Sequence, residues 1–368
     1  MNNFQVFLES YGISFFYFKM FLGFSFSFLI TYLAIPTIIK ISRRKNLMDE
    51  PGARSSHLRK IPNLGGIAVF FSLGVCAPIF AYELFDRYKF LFASFIILFF
   101  VGVMDDIMVL RAYKKLVAQI LVSALMVIGS DVRIRSLFGL FGVYEINYFI
   151  SVIFSIVTFI ILINAFNLID GIDGLAGSYT LVTSALFGIS FFRLGNHNDP
   201  LVILCAILIA ASLGFLFYNL SDKRSSKIFM GDTGSMILGF LLSFTCISFI
   251  DIFIAKKDDV FYHLQAAPVI AVAILILPII DTITVIITRL YHRKSVFSAD
   301  KNHIHHKLLN LGLTHKRSTA YIISYYLFVI LITYFFRHLD VNHLLGMIML
   351  LGFLGAYLPI FLLKFKKI

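Results

Sequence analysis

Apolar runs long enough to cross a bilayer recur from one end of this 368-residue chain to the other, and that repetition leaves few folds open. A helical crossing takes about 17–25 residues. Such runs fall at roughly 14–39, 65–85, 90–104, 116–130, 148–164, 174–193, 200–220, 233–254, 267–290, 319–337 and 342–363, which makes about eleven crossings. Unpaired backbone cannot face lipid, so helices are the expected solution. The runs are too continuous for the alternating strands of a β-barrel. Composition agrees: 59% of residues are hydrophobic, 42 are Phe and only 14% are charged, against roughly 45–50% apolar in a soluble domain. No polar stretch is long enough to build a soluble domain. The expected architecture is an all-α, polytopic helical membrane protein: one integral membrane domain over 1–368, with its chemistry in cytoplasmic loops.

Charge orients the spans. With the loop after the first span placed inside, the inner segments collect 23 of the 32 Lys and Arg, as the positive-inside bias requires. This predicts a multi-pass membrane protein with its N-terminus outside and its C-terminus cytoplasmic. The first ten residues lack a basic n-region and a cleavage site, so the first span is read as uncleaved. The formal net charge of +12 belongs to loops that meet anionic lipid, and no nucleic-acid partner is expected. Cys76, Cys205 and Cys246 each lie in an apolar run without a CxxC pair, which reads as packing. The segment Asp131–Glu145 would lie outside and form a short hairpin.

Five inner segments hold nearly all the unusual polar residues. The loop from Asp49 to Gly66 carries Arg54, His57, Arg59 and Lys60 among prolines and glycines; it is either a phosphate-holding loop or a plain basic one. Asp105 and Asp106 are adjacent carboxylates at a span's inner end. They need a divalent cation between them and a substrate, or neutralisation by Lys114 and Lys115. The stretch Asn164–Ala176 places Asn167, Asp170 and Asp173 beside Gly171 and Gly174, and carboxylates so close to lipid point to function. Asp232, after Phe229 and Gly231, either caps a helix or holds a cation-bound phosphate there. His303, His305 and His306 suit a metal or phosphates, or else form a solvated loop, and the surrounding carboxylates favour a hard cation over zinc. One acid stands apart: Asp281 lies about eight residues, and so about 12 Å, inside the ninth span, tying helices together or lining a site.

All five segments are predicted to face the cytoplasm. Carboxylates, cations and histidines are what a phosphate-transfer site requires. A transporter is the rival reading, but transporters place such groups near the midplane of repeated halves. No repeat is evident here. A catalytically dead scaffold is disfavoured because every strong carboxylate is present.

This set resembles the polyprenyl-phosphate N-acetylhexosamine-1-phosphate transferases over about residues 49–317. The resemblance is carried by Asn164–Ala176, by Met230–Ser235 and by the run Phe-Ser-Ala-Asp-Lys-Asn-His-Ile-His-His-Lys from Phe297. The last run is closer to the branch that initiates common antigen and teichoic-acid linkage than to the related phospho-N-acetylmuramoyl-pentapeptide translocase, whose activity is the alternative. The resemblance implies transfer of a sugar-1-phosphate from a UDP-N-acetylhexosamine, first of all UDP-GlcNAc, to a polyprenyl phosphate lipid such as undecaprenyl phosphate. UMP would leave and a lipid-linked cell-envelope glycan would begin. It implies Mg²⁺, with Mn²⁺ as a substitute, and places Asp232 as the metal ligand. Asp105, Asp106, Asp170, Asp173, His303, His305 and His306 are then catalytic, and Lys60, Lys115, Asn167 and Phe229 bind substrate. Arg54-Ser55-Ser56-His57 and Lys301 depart from the family's usual residues, which leaves the sugar open. The oligomeric state is also open, a homodimer included.

Overall fold

The computed structural model describes residues 8, 10, 14–49, 60–195, 198–223, 225–255, 266–293 and 303–366. In chain order its helices are α1 (Phe15–Arg44), α2 (Gly65–Phe80), α3 (Glu83–Arg87), α4 (Leu91–Met108) and α5 (Ala112–Ala124), the last running into a wider π turn, Leu125–Gly129. Strands β1 (Ser136–Leu140) and β2 (Val143–Glu145) follow. Then come α6 (Tyr148–Ile169), α7 (Leu175–Arg193), α8 (Asp199–Asn219), α9 (Gly231–Ala255), α10 (Ala267–Ile274), α11 (Ile276–Tyr291), α12 (Ile304–Asn310), α13 (His315–Phe335) and α14 (Val341–Lys366). Among the described residues nine helices are long and apolar enough to span a membrane, α10 and α11 pass only together, as a broken span or a re-entrant loop, and α2 is apolar but shorter. Each expected crossing therefore has a helix in its place. The protein is an all-α, multi-pass membrane protein.

On α1 the buried positions Gly23, Ser27, Thr31, Ile35, Ile39 and Ser42 recur every three or four residues, while Phe21 and Leu33 are 67% and 61% exposed. A stripe of mostly small side chains lets backbones approach where hydrophobicity supplies no drive between helices.

The chain divides into two compact units. The first comprises Met1–Met48, Pro62–Ser130 and Gly177–Ile237. Here α1 packs on α2 and α8. Ser27 Oγ lies 2.8 Å from Ser72 Oγ of α2 and donates to Ile207 O of α8 at 3.0 Å. Glycines bring α2 and α4 against the first turn of α9. A Cβ on Gly66 would stand 2.1 Å from Gly234 N, and one on Gly102 would stand 2.5 Å from Thr233 Cα. Neither backbone could keep its place with a larger residue.

The second unit comprises Asp49–Ile61, Asp131–Ala176 and Leu238–Ile368. The hairpin expected over Asp131–Glu145 is present, β1 pairing antiparallel with β2. Arg135 ties it to Asp131 and to Asp251 of α9, and Phe141 N donates to Asn342 Oδ1 of α14 at 2.8 Å. The ninth crossing differs from the continuous span expected over 267–290: it bends by 75° between α10 and α11. Pro278 is the physical reason. It has no N–H for the carbonyl four residues back, and its ring crowds that carbonyl. The freed acceptor, Ile274 O, instead takes a 2.6 Å hydrogen bond from the buried Tyr326 hydroxyl of α13.

Candidate functional site

In the first unit, the polar centre forms where α4 ends, α5 begins and α9 starts. Lys115, one turn into α5, reaches Asp105 Oδ2 at 2.5 Å and Asp232 Oδ2 at 3.0 Å. The lysine therefore neutralises Asp105 as the sequence allowed, but it shares itself with Asp232, 117 residues along the chain. Asp105 is 4% exposed. Its other oxygen accepts from Leu110 N at 2.6 Å. That contact needs the chain to turn sharply at Val109, whose φ of 49° is a strained conformation for a β-branched residue.

Asp106 does something different. Its Oδ1 accepts from Asp232 N at 2.7 Å, and its Oδ2 from Thr233 N at 3.0 Å and Thr233 Oγ1 at 2.6 Å. These are donors of the first turn of α9, which no residue within that helix can satisfy. The capping role that the sequence offered to Asp232 is thus carried out by Asp106, from another helix. Gly231 makes room for it: φ is +73°, and a Cβ would lie 2.7 Å from either Asp106 oxygen and 2.0 Å from Asn63 O. Asp232 is left with its carboxylate in the open part of the centre, its side chain 31% exposed. Phe229 precedes this turn. Its backbone is held in extended pairing, Phe229 N to Pro62 O at 2.8 Å and Gly65 N to Phe229 O at 2.9 Å, and its ring is half-buried.

A second polar cluster lies in the second unit. His303 Nδ1 sits 2.7 Å from Asp281 Oδ2, and Ile304 N donates to Asp281 Oδ1 at 2.8 Å. Asp281 thus ties α11 to the start of α12, the first of the two roles the sequence left open for it. The His303 and His305 rings stack 5.5 Å apart with planes 8° from parallel, and His306 lies 4.4 Å from His305. The three histidines are packed rather than solvated, His303 and His305 being buried. His305 lies against bare backbone, since a Cβ on Gly171 would stand 2.2 Å from its Nε2. Burial, with help from His306, His303 and His315, pushes the His305 pKa down to about 3 against the pull of Asp281. Its imidazole is neutral at pH 7, and its buried Nδ1 makes no hydrogen bond among the described residues.

The motif after α6 completes this cluster. Asp170 N donates to Asn167 O at 3.3 Å and Gly171 N to Ile169 O at 2.8 Å, a tight turn that ends the helix. Asp173 is 7% exposed; its Oδ2 lies 3.2 Å from His315 Nδ1, and its carbonyl accepts from Thr319 Oγ1 at 2.7 Å. Sequence reasoning passed over His315 and Thr319. The signal was their i, i+4 spacing at the start of α13, which puts both on one helix face. Lys60 is exposed beside the isolated bridge of Asp49 with Ile61. The remainder of the basic loop, 50–59, and Asp300–Asn302 lie outside the described residues.

The glycosyl transferase family 4 model matches residues 88–250. Curated relatives extend the likeness. A "Probable undecaprenyl-phosphate N-acetylglucosaminyl 1-phosphate transferase" of Bacillus subtilis (strain 168) is 30% identical over 299 residues, covering 80% of this chain and 78% of the relative. Undecaprenyl-phosphate alpha-N-acetylglucosaminyl 1-phosphate transferases of Salmonella typhi and Escherichia coli (strain K12) are 30% and 31% identical over 301 residues, each covering 79% of this chain and 77% of the relative. With paired aspartates, a distant third aspartate and a histidine motif at the positions that carried the resemblance, this chain belongs to glycosyl transferase family 4, among its polyprenyl-phosphate hexosamine-1-phosphate transferases.

Proposed function

We propose that this membrane phosphoglycosyl transferase moves N-acetylglucosamine-1-phosphate from UDP-GlcNAc to undecaprenyl phosphate, in a Mg²⁺-dependent reaction at the cytoplasmic face of the bacterial inner membrane. The names of its relatives support the transferred group and the undecaprenyl phosphate acceptor. The observation that carries the chemistry is the pair Asp105 and Asp232, brought from separate helices around one ammonium group. Two carboxylates that already share a cation form a hard-oxygen donor set that fits Mg²⁺. Among the described residues no three His, Cys, Asp or Glu side chains meet as a ready chelate. The ion would therefore take its remaining ligands from water and substrate phosphates, as Mg²⁺ commonly does. Asp232 would hold it, with Asp105 beside it, and once bound it would neutralise charge on the diphosphate.

In the reaction an acceptor phosphate oxygen forms a bond to the β-phosphorus of the UDP-sugar. The bond from that phosphorus to the bridging oxygen breaks, and the oxygen leaves on UMP. A phosphomonoester has a second pKa near 6, so the acceptor is largely dianionic at pH 7 and needs no strong base. Asp106 accordingly positions Asp232 rather than moving a proton. Lys115 supplies a mobile charge that can pass from carboxylate to phosphate. Phe229 offers a face for the uracil.

The test is UMP release by detergent-purified protein with undecaprenyl phosphate, across UDP-GlcNAc, UDP-GalNAc and other UDP-amino sugars, with Mg²⁺, with Mn²⁺ and with chelator. Release that needs the lipid, the metal and UDP-GlcNAc supports the reading. Lipid-independent or chelator-resistant release would refute it.

A further inference from the structure

Asp173 is held at both ends by one helix. Its carboxylate Oδ2 lies 3.2 Å from His315 Nδ1, and its backbone carbonyl accepts from Thr319 Oγ1 at 2.7 Å. His315 and Thr319 stand one turn apart at the start of α13, with Thr319 buried and His315 partly open. The α13 N-terminus is itself pinned, because the Thr314 side chain caps it by accepting from Arg317 N. On the other side, Gly174 follows Asp173 with a φ of +81°, so the loop has left helical geometry where the aspartate sits. A carboxylate on such a turn has no helix of its own to set its direction. We propose that His315 and Thr319 are positioning residues for Asp173. Thr319 fixes the height of the loop, and the Nδ1 side of His315 fixes the rotamer in which the Asp173 carboxylate meets its substrate.

The inference rests on the transferase reading. It deepens that reading by adding a pair that the flanking motifs do not contain. Two features make the arrangement more than helix packing. His315 Nδ1 meets both the carboxylate, at 3.2 Å, and the backbone N–H of the same residue, which donates to it at 3.5 Å. The second contact, at i+4, goes to the same residue's carbonyl, so one rigid element restrains both soft ends of Asp173. Loss of such a contact to a buried carboxylate is expected to lower turnover roughly 10- to 100-fold if it is expressed fully in the rate.

The atom that matters makes the test selective. An Asn side chain carries its amide near the place of an imidazole Nδ1, and Gln carries it near Nε2. His315→Asn is therefore expected to keep turnover within about three-fold of wild type, whereas His315→Gln and His315→Ala fall about ten-fold or more. Thr319→Ser keeps turnover and Thr319→Val lowers it. All five variants are compared at matched thermal melting in the same detergent, so that general unfolding is visible. The second readout is coupling. In an Asp173→Asn background, with radiolabelled UDP-GlcNAc to follow slow turnover, His315→Ala should cause less than a two-fold further loss, because the residue acts only through that carboxylate. Equal damage by Asn and Gln, full activity of His315→Ala, or an undiminished loss in the Asp173→Asn background would each overturn the positioning role while wild-type turnover left the transferase reading standing. A wild-type protein that releases no UMP would overturn both.

Discussion

The two polar clusters solve the same problem with different chemistry. Around Asp105, Asp106 and Asp232, negative charge is offset by one lysine and by the backbone donors of a helix start. Around Asp173 and Asp281 it is offset by histidines, one of which, His315, stays partly open while His303 is buried. Lysine and peptide N–H are donors on fixed or flexible cationic and backbone groups, whereas each imidazole has two distinct ring nitrogens and meets its carboxylate through Nδ1. The two also differ in what their carboxylates hold. Asp106 spends both oxygens on the first turn of α9, and Asp281 spends both on the start of α12, so each is a cap donated by a neighbouring helix.

The largest expected effect separates reacting from supporting carboxylates in the first cluster. Asp232→Ala should lower turnover by about 10³-fold or more, with melting close to wild type because Asp105 still holds Lys115. UMP release and thermal melting measured on one preparation check both halves, and wild-type-like turnover would remove the metal assignment. Next comes the buried pair of the second cluster. Asp281→Ala leaves His303 and Ile304 N without their acceptor and should cost about 3 kcal/mol, with Asp281→Asn costing less. Denaturant titration in detergent measures it, and a neutral result would show that α12 does not depend on this tie. Asp106→Ala should cost about 2 kcal/mol by uncapping α9. Asp106→Asn should recover part of that, since an amide oxygen can still accept.

Acid gives a further test of the second cluster. His305 has a folded pKa of about 3 against an ordinary 6.5, so the unfolded chain binds its proton first. Its contribution is complete above about pH 6.5 and is lost as pH falls towards 3, at about 1.4 kcal/mol per pH unit. Melting temperature against pH should therefore fall less steeply in His305→Asn; an unchanged slope would place the acid sensitivity elsewhere. The smallest effect belongs to the strained turn. Val109→Asn, which accepts a positive φ more readily, should stabilise by about 1 kcal/mol or less, and a measurable loss of stability would mean that the valine side chain has a contact role of its own.

The sequence alone determined the membrane-spanning class, the approximate place of every crossing and the residues of unusual chemistry. It could do so because hydropathy over about 20 residues and the cost of charge in lipid are local properties. The hairpin after Asp131 was legible for the same reason. Even the break at Leu275 had a local cause in Pro278, although the span looked continuous because proline does not lower apolarity enough to interrupt it. The tertiary structure decided which polar groups meet. That Lys115 is shared with Asp232, that Asp106 rather than Asp232 caps α9, that Asp281 holds His303 and that His315 reaches Asp173 all join residues from 22 to 142 positions apart. No periodicity encodes such pairings. They depend on where glycines such as Gly66, Gly102 and Gly171 let backbones or rings close to van der Waals contact, and that is a property of the packed helices.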